Sequence, residues 1–99
     1  MRIALCTLLL SLLIPMGALA QKHTISGYIR DTETGEELIG ANVMLEDKSA
    51  GTTSNAYGFY SLTLPDGTYT ITYSFIGYQE QKKTLDIYSD KKINIDLKP

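Results

Sequence analysis

From His23 onward, apolar and polar residues alternate with a period of two, and the i, i+3, i+4 spacing of an amphipathic helix never persists. Ile25, Gly27 and Ile29 share one side against Thr24, Ser26, Tyr28 and Arg30. Ala41, Val43 and Leu45 do the same against Asn42, Met44 and Glu46. Tyr60, Leu62 and Leu64 form a third set, and Tyr69, Ile71, Tyr73 and Phe75 a fourth. Ile93, Ile95 and Leu97, against Asn94, Asp96 and Lys98, give the clearest alternation. Each such segment is a strand with one dry and one wet face. Residues 52–54 and 79–87 supply weaker strands.

Turn residues punctuate the strands. They are Thr32-Glu33-Thr34-Gly35, the run from Asp47 to Gly51, Asn55-Ala56-Tyr57-Gly58 and Pro65-Asp66-Gly67. Proline presets one backbone angle and glycine accepts a positive φ, so Pro65-Asp66-Gly67 predicts a hairpin between its flanking strands. Turns at this rhythm, with β-branched and tyrosine-rich strands, predict an all-β fold. The expected architecture is an antiparallel Greek-key β-sandwich of about seven strands.

The first 20 residues differ in kind. Arg2 opens a run of 18 uncharged residues rich in leucine, interrupted by Pro15 and Gly17 and ending Ala18-Leu19-Ala20 before Gln21. That order reads as a secretory signal peptide over residues 1–20, cleaved between Ala20 and Gln21, with the folded domain over residues 21–99. An uncleaved anchor needs about 20 apolar residues, and Pro15 and the small residues at Ala18 and Ala20 oppose it. Cys6 lies too close to Arg2 to be a lipoprotein acylation site. Past the leader there is no cysteine, so the fold gets no disulfide and no thiolate. Only 28 of the 79 remaining residues are apolar. A domain of this size buries roughly 60% of its unfolded surface, which disfavours a closed catalytic cleft. With 8 basic and 11 acidic groups the same segment is net negative, against a nucleic-acid partner.

No catalytic, cofactor or metal signature emerges. His23 is the only histidine and stands at the start of the domain, where a Ser-His-Asp arrangement has no support, so it reads as an incidental surface residue. Asp31, Glu33, Glu36, Glu37 and Asp47 could gather oxygens for calcium, but lack the alternating spacing of a dedicated loop and read as solvated turns. Seven tyrosines invite sugar stacking, yet Tyr60, Tyr69 and Tyr73 fall on dry faces and Tyr28, Tyr57, Tyr78 and Tyr88 are scattered. An isopeptide bond between Lys22 and Asn94 would need both buried beside a carboxyl group, and Asn94 alternates outward.

Several strings together carry a resemblance. They are Ile25-Ser26-Gly27-Tyr28-Ile29-Arg30-Asp31, Thr34-Gly35-Glu36, Leu38-Ile39-Gly40-Ala41-Asn42-Val43, Gly51-Thr52-Thr53-Ser54-Asn55, Gly58-Phe59-Tyr60-Ser61-Leu62, Leu64-Pro65-Asp66-Gly67-Thr68-Tyr69 and Ile76-Gly77-Tyr78. In this order they resemble the carboxypeptidase-regulatory-like domain, and in particular the copy that follows the signal peptide of TonB-dependent outer-membrane receptors in Bacteroidetes-type bacteria. The resemblance spans residues 23–98. It implies a transthyretin-like (prealbumin-like) sandwich, with Gly27, Gly35, Gly40, Gly51, Gly58, Gly67 and Gly77 in structural roles.

The resemblance also implies a function. The expectation is a non-catalytic accessory module on the periplasmic side of an outer-membrane nutrient receptor, the chain being a fragment without plug or barrel. Its partners would be periplasmic proteins or the rest of its own receptor, reached through an edge strand or a loop surface. The alternative is a stand-alone secreted carbohydrate-binding or adhesive domain.

Overall fold

A computed structural model describes residues 21–99; the leader and the Ala20 side of its cleavage site lie outside the described residues. Among the described residues there are eight strands: β1 (Lys22–Asp31), β2 (Asn42–Leu45), β3 (Gly51–Thr53), β4 (Phe59–Pro65), β5 (Gly67–Ser74), β6 (Gln81–Ile87), β7 (Lys91–Lys92) and β8 (Ile95–Leu97). They form two four-stranded sheets. In one, β1 lies between β4 and the pair β7 and β8; the other runs β3-β2-β5-β6. The dry faces predicted from alternation meet between the sheets. Ile25, Ile29, Val43, Tyr60, Ile71, Tyr73, Ile95 and Leu97 are buried there, and Ile87 closes the far end.

The sandwich departs from expectation in three respects. First, Pro65-Asp66-Gly67 does not close a hairpin. β4 pairs with β1 and β5 with β2 and β6, so the chain crosses between sheets at Asp66. Gly67 has φ 159°, almost fully extended, as a crossing requires and a tight turn does not. His23 sits at this crossing, half-buried rather than loose, with Nε2 donating to Asp66 Oδ1 at 2.5 Å. Second, the clearest alternating segment is broken into β7 and β8, which raises the count from about seven strands to eight. Third, both of these strands run parallel to β1, so the sandwich is not antiparallel throughout.

The break between β7 and β8 has a steric and a polar cause. A Cβ on Gly27 would run into the Ile93 carbonyl, so only glycine lets the last segment cross β1 this closely. At the crossing Ile93 N donates to Ser26 O at 2.7 Å, and Tyr28 N donates to Asn94 Oδ1 at 2.9 Å. Asn94 is thus an exposed side chain that takes the place of a ladder carbonyl, which leaves the isopeptide reading without support. The Ile93 carbonyl instead accepts the Tyr60 hydroxyl at 2.7 Å, and Tyr60 and Tyr73 hydroxyls lie 3.0 Å apart with their rings edge to face. Tyr60 has one proton and gives it to Ile93, so Tyr73 must be the donor to Tyr60. Burial pushes both phenols above their ordinary pKa, keeping them neutral.

Two stability comparisons test this picture by urea denaturation. Ile71→Ala should cost about 2 to 4 kcal/mol by opening a cavity between the sheets, while Thr72→Ala, on the wet face, should cost well under about 1 kcal/mol. Equal losses would mean the register is wrong. Tyr60→Phe removes the hydroxyl that donates to the part-buried Ile93 carbonyl and accepts from the buried Tyr73, leaving both without their partner, a loss of about 2 to 3 kcal/mol. Tyr73→Phe leaves the Tyr60 to Ile93 bond intact and should cost about 1 kcal/mol or less. The reverse order would overturn the direction assigned to the relay.

Candidate docking surface

β1 and β8 end, and β2, β4 and β6 begin, at the same end of the sandwich. The loops gathered there are residues 32–41, 54–58 and 75–80, beside residues 98 and 99. They are tied to the strands and to each other rather than hanging free. Asp31, only 6% exposed, accepts Glu33 N at 2.7 Å and Thr34 N at 3.1 Å on Oδ1, and the Tyr78 hydroxyl at 2.7 Å on Oδ2. One carboxylate therefore shapes its own turn and clamps the β5–β6 loop, 47 residues away. The Tyr78 bond is the main cause that holds the Asp31 carboxyl below its ordinary value, and the same bond raises the Tyr78 phenol.

Further straps complete the end. Thr32 N and Oγ1 both donate to Leu97 O at 3.0 Å, and Gln79 N donates to Lys98 O at 2.6 Å. The buried Ser54 hydroxyl donates to Leu38 O at 2.5 Å and accepts Ala41 N at 2.8 Å, pinning Leu38 into the core. Asn55 Oδ1 accepts both Tyr57 N and Phe59 N, which fixes the β3–β4 loop. At the β5–β6 tip Gly77 adopts φ 87°, a left-handed conformation that suits glycine, and Phe75 meets Tyr78 edge to face at 5.6 Å.

This strapped end presents apolar side chains to water. Ile39 is 58% exposed, Tyr57 70% and Ile76 96%, one on each of the three loops. The opposite end carries Asp47, Lys48, Ser49, Asp66, Ser89 and Asp90, with Tyr88 its exposed aromatic. Scattered apolar residues on a surface are ordinary. Three carried on loops whose backbones are tied at one end have already lost part of the conformational entropy that docking would otherwise remove.

The other candidate chemistries find different places. Among the described residues no three His, Cys, Asp or Glu side chains come together as metal ligands would. Asp31, Glu33 and Thr34 build a turn, and Asp47 Oδ1 accepts Ser49 N and Oγ. The tyrosines are dispersed: Tyr60 and Tyr73 are buried, Tyr69 donates to Pro65 O at 2.7 Å, and Tyr78 serves Asp31. The Arg30 guanidinium covers the Tyr28 ring at 4.9 Å, and Phe59 meets it edge to face. Tyr57 and Tyr88 lie at opposite ends. Alternation revealed neither the Asp31–Tyr78 clamp nor the burial of Leu38, since both depend on contacts between loops distant in sequence.

The described residues form a two-layer sandwich whose loops at one end are strapped together and carry exposed apolar side chains. The chain belongs to the CarboxypepD_reg-like domain family, whose profile matches residues 25–99. It is 38% identical over 78 residues to the TonB-dependent receptor SusC of Bacteroides thetaiotaomicron, covering 79% of this chain and 8% of the receptor. It is 31% identical to the TonB-dependent receptor P3 of Formosa agariphila, covering 72% of this chain and 7% of that receptor. The chain thus spans less than a tenth of these relatives. The Bacillus anthracis TIE protein shares the fold, with a TM-score of 0.62 at 21% identity, over 77% of this chain and 16% of that one.

The clamp yields a pH prediction. A carboxyl held below the unfolded value of 3.8 contributes stability that is fully present above that value and is lost as pH falls through the lower folded value. Asp31→Asn should therefore be less stable than the parent at pH 7, with the gap shrinking below about pH 4. Tyr78→Phe should move the Asp31 titration, followed by NMR, back toward its ordinary value.

Proposed function

We propose that this chain is the exported N-terminal accessory module of a TonB-dependent receptor, non-catalytic and free of metal and cofactor, working on the periplasmic side of the outer membrane. The leader directs export and is then cleaved between Ala20 and Gln21. The module docks through its strapped loop end, and its partner is the remainder of the receptor or a periplasmic protein bound to it. The observation that carries this reading is the set of Ile39, Tyr57 and Ile76 exposed on immobilised loops at the end where β8 also finishes. In a longer receptor chain, whatever follows residue 99 leaves from that end, so the apolar tips face the next part of the same molecule. The receptors among its relatives support the setting.

The test is made in the receptor. Removing residues 21–99 behind the leader should leave the barrel inserted while lowering uptake of the receptor's nutrient, measured at matched surface abundance. Replacing Ile39 and Ile76 together by serine should reproduce most of that loss without unfolding the sandwich. Unchanged uptake at unchanged abundance would refute the role. Mass spectrometry of the exported protein should find Gln21, or its pyroglutamate, at the amino terminus. Micromolar binding of a polysaccharide by the exported domain would instead favour a secreted adhesive protein.

A further inference from the structure

Of the strands that border the two sheets, β6 offers the longest unbroken free edge among the described residues. The hydrogen bond from Glu46 N to Thr70 O fixes the phase of β5. Thr70, Thr72 and Ser74 aim their backbone groups at β2, so Tyr69, Ile71 and Tyr73 aim theirs at β6. Opposite these three lie Leu85, Lys83 and Gln81. Their backbone groups are therefore engaged, and those of Lys82, Thr84 and Asp86 point away from the sheet.

The other edges are blunted. Ile29 N donates to Gly58 O and Asp66 N to Gln21 O, so Tyr60, Leu62 and Leu64 face β1, and Phe59, Ser61, Thr63 and Pro65 face outward. Asn55 occupies both backbone groups of Phe59. Pro65 has no N–H, and its carbonyl accepts Tyr69. Only Ser61 and Thr63 are left on β4. β3 has three residues, and the β7–β8 border is interrupted at Ile93 and Asn94.

The β6 edge also carries a specific side-chain pattern. Lys83 and Leu85 share the inner face with Ile71 and Tyr69, and both are half-buried at the rim rather than covered. Ile93 on the other sheet is likewise only partly covered, as Leu85 is, against the core. Lys82 reaches Glu46 at 3.5 Å, whereas Lys83 makes no ion pair among the described residues. Residues of an added strand directly opposite Lys83 and Leu85 would occupy non-hydrogen-bonded positions, where side chains approach most closely.

We propose that the β6 edge binds an extended segment of a protein partner that carries an acidic and an apolar residue two positions apart, the acid against Lys83 and the apolar side chain over Leu85. Main-chain bonds to Lys82, Thr84 and Asp86 supply the pairing, and the two inward residues supply the choice. An inward lysine on an edge repels ordinary apolar strands and so guards against indiscriminate pairing. The same charge admits a segment that brings its counter-ion. A second copy does not meet the requirement. In a symmetric β6–β6 pairing centred on Thr84, Lys83 faces Leu85 and finds no acid. This site is separate from the loop end and stands or falls independently of docking there.

The experiment titrates the exported protein with Thr-Val-Thr-Glu-Thr-Val-Thr, which offers the acid and apolar pair in either strand direction, and follows amide exchange by NMR. Protection should appear at Thr84 and Asp86. Replacing the peptide's glutamate with lysine should weaken binding about fivefold, the difference between opposite and like charges in a cross-strand pair. Lys83→Glu should reverse that preference. Thr84→Pro, which removes an edge-facing N–H, should abolish binding at unchanged thermal stability; if that variant unfolds, the Lys83→Glu exchange decides. Protection at Ser61 and Thr63 instead, a preference that Lys83→Glu leaves unmoved, or no binding at about 1 mM peptide would overturn the proposal.

Discussion

No disulfide staples the two sheets, since residues 21–99 hold no cysteine, and apolar residues are few, so the polar connection through the core has structural weight. Tyr73 on β5 donates to Tyr60 on β4, and Tyr60 donates to the Ile93 carbonyl between β7 and β8. That carbonyl faces inward because the chain leaves the ladder opposite Gly27, where no Cβ intervenes. The glycine, the break in the last strand and the tyrosine pair therefore depend on one another. A side chain at position 27 would push Ile93 away, and the relay would lose its final acceptor. An orphaned buried hydroxyl costs more than the bond itself contributes, which is why such a relay specifies one arrangement of the two sheets.

Much of this fold was legible because a half-buried strand writes its period directly into the sequence. Ile25, Ile29, Val43, Tyr60, Ile71 and Ile95 all lie on the faces that alternation assigns them. Pairing was less legible. The Pro65-Asp66-Gly67 string has hairpin chemistry, but whether the chain turns back in one sheet or crosses to the other depends on which edge is already occupied. β4 finds β1, and β5 finds β2 and β6. Likewise the alternation of Ile93, Ile95 and Leu97 continues through a break that a period-two pattern cannot register, since the break is set by Gly27 some 66 residues earlier.

The strapped loop end was readable only in part. Asp31 followed by Glu33, Thr34 and Gly35 announces a turn built on an aspartate side chain, and two of its three side-chain hydrogen bonds are of that local kind. The third, to Tyr78, joins two loops that no local rule connects. Leu38 and Ile39 show the same limit at a finer scale. They are adjacent and chemically alike, yet Leu38 is buried and Ile39 exposed, and the distinction is made by Ser54, which holds the Leu38 carbonyl.

The placement of apolar residues in so small a domain links its stability to its use. A chain with about one apolar residue in three has few to spare for the surface, because its surface-to-volume ratio already limits the core. Ile39, Tyr57 and Ile76 nevertheless face water on loops whose backbones are tied to β8, to Ser54 and to Asp31. Those ties cost conformational entropy whether or not anything is bound. Binding at this end would then add burial at a reduced backbone ordering cost, so rigidity paid within the fold becomes affinity at the surface. Edges follow the opposite strategy. Asn55 and Tyr69 occupy the two ends of the free edge of β4, and an inward lysine restricts β6. The same sandwich thus advertises its loops and withholds its strands, except from a segment that brings an acid to Lys83.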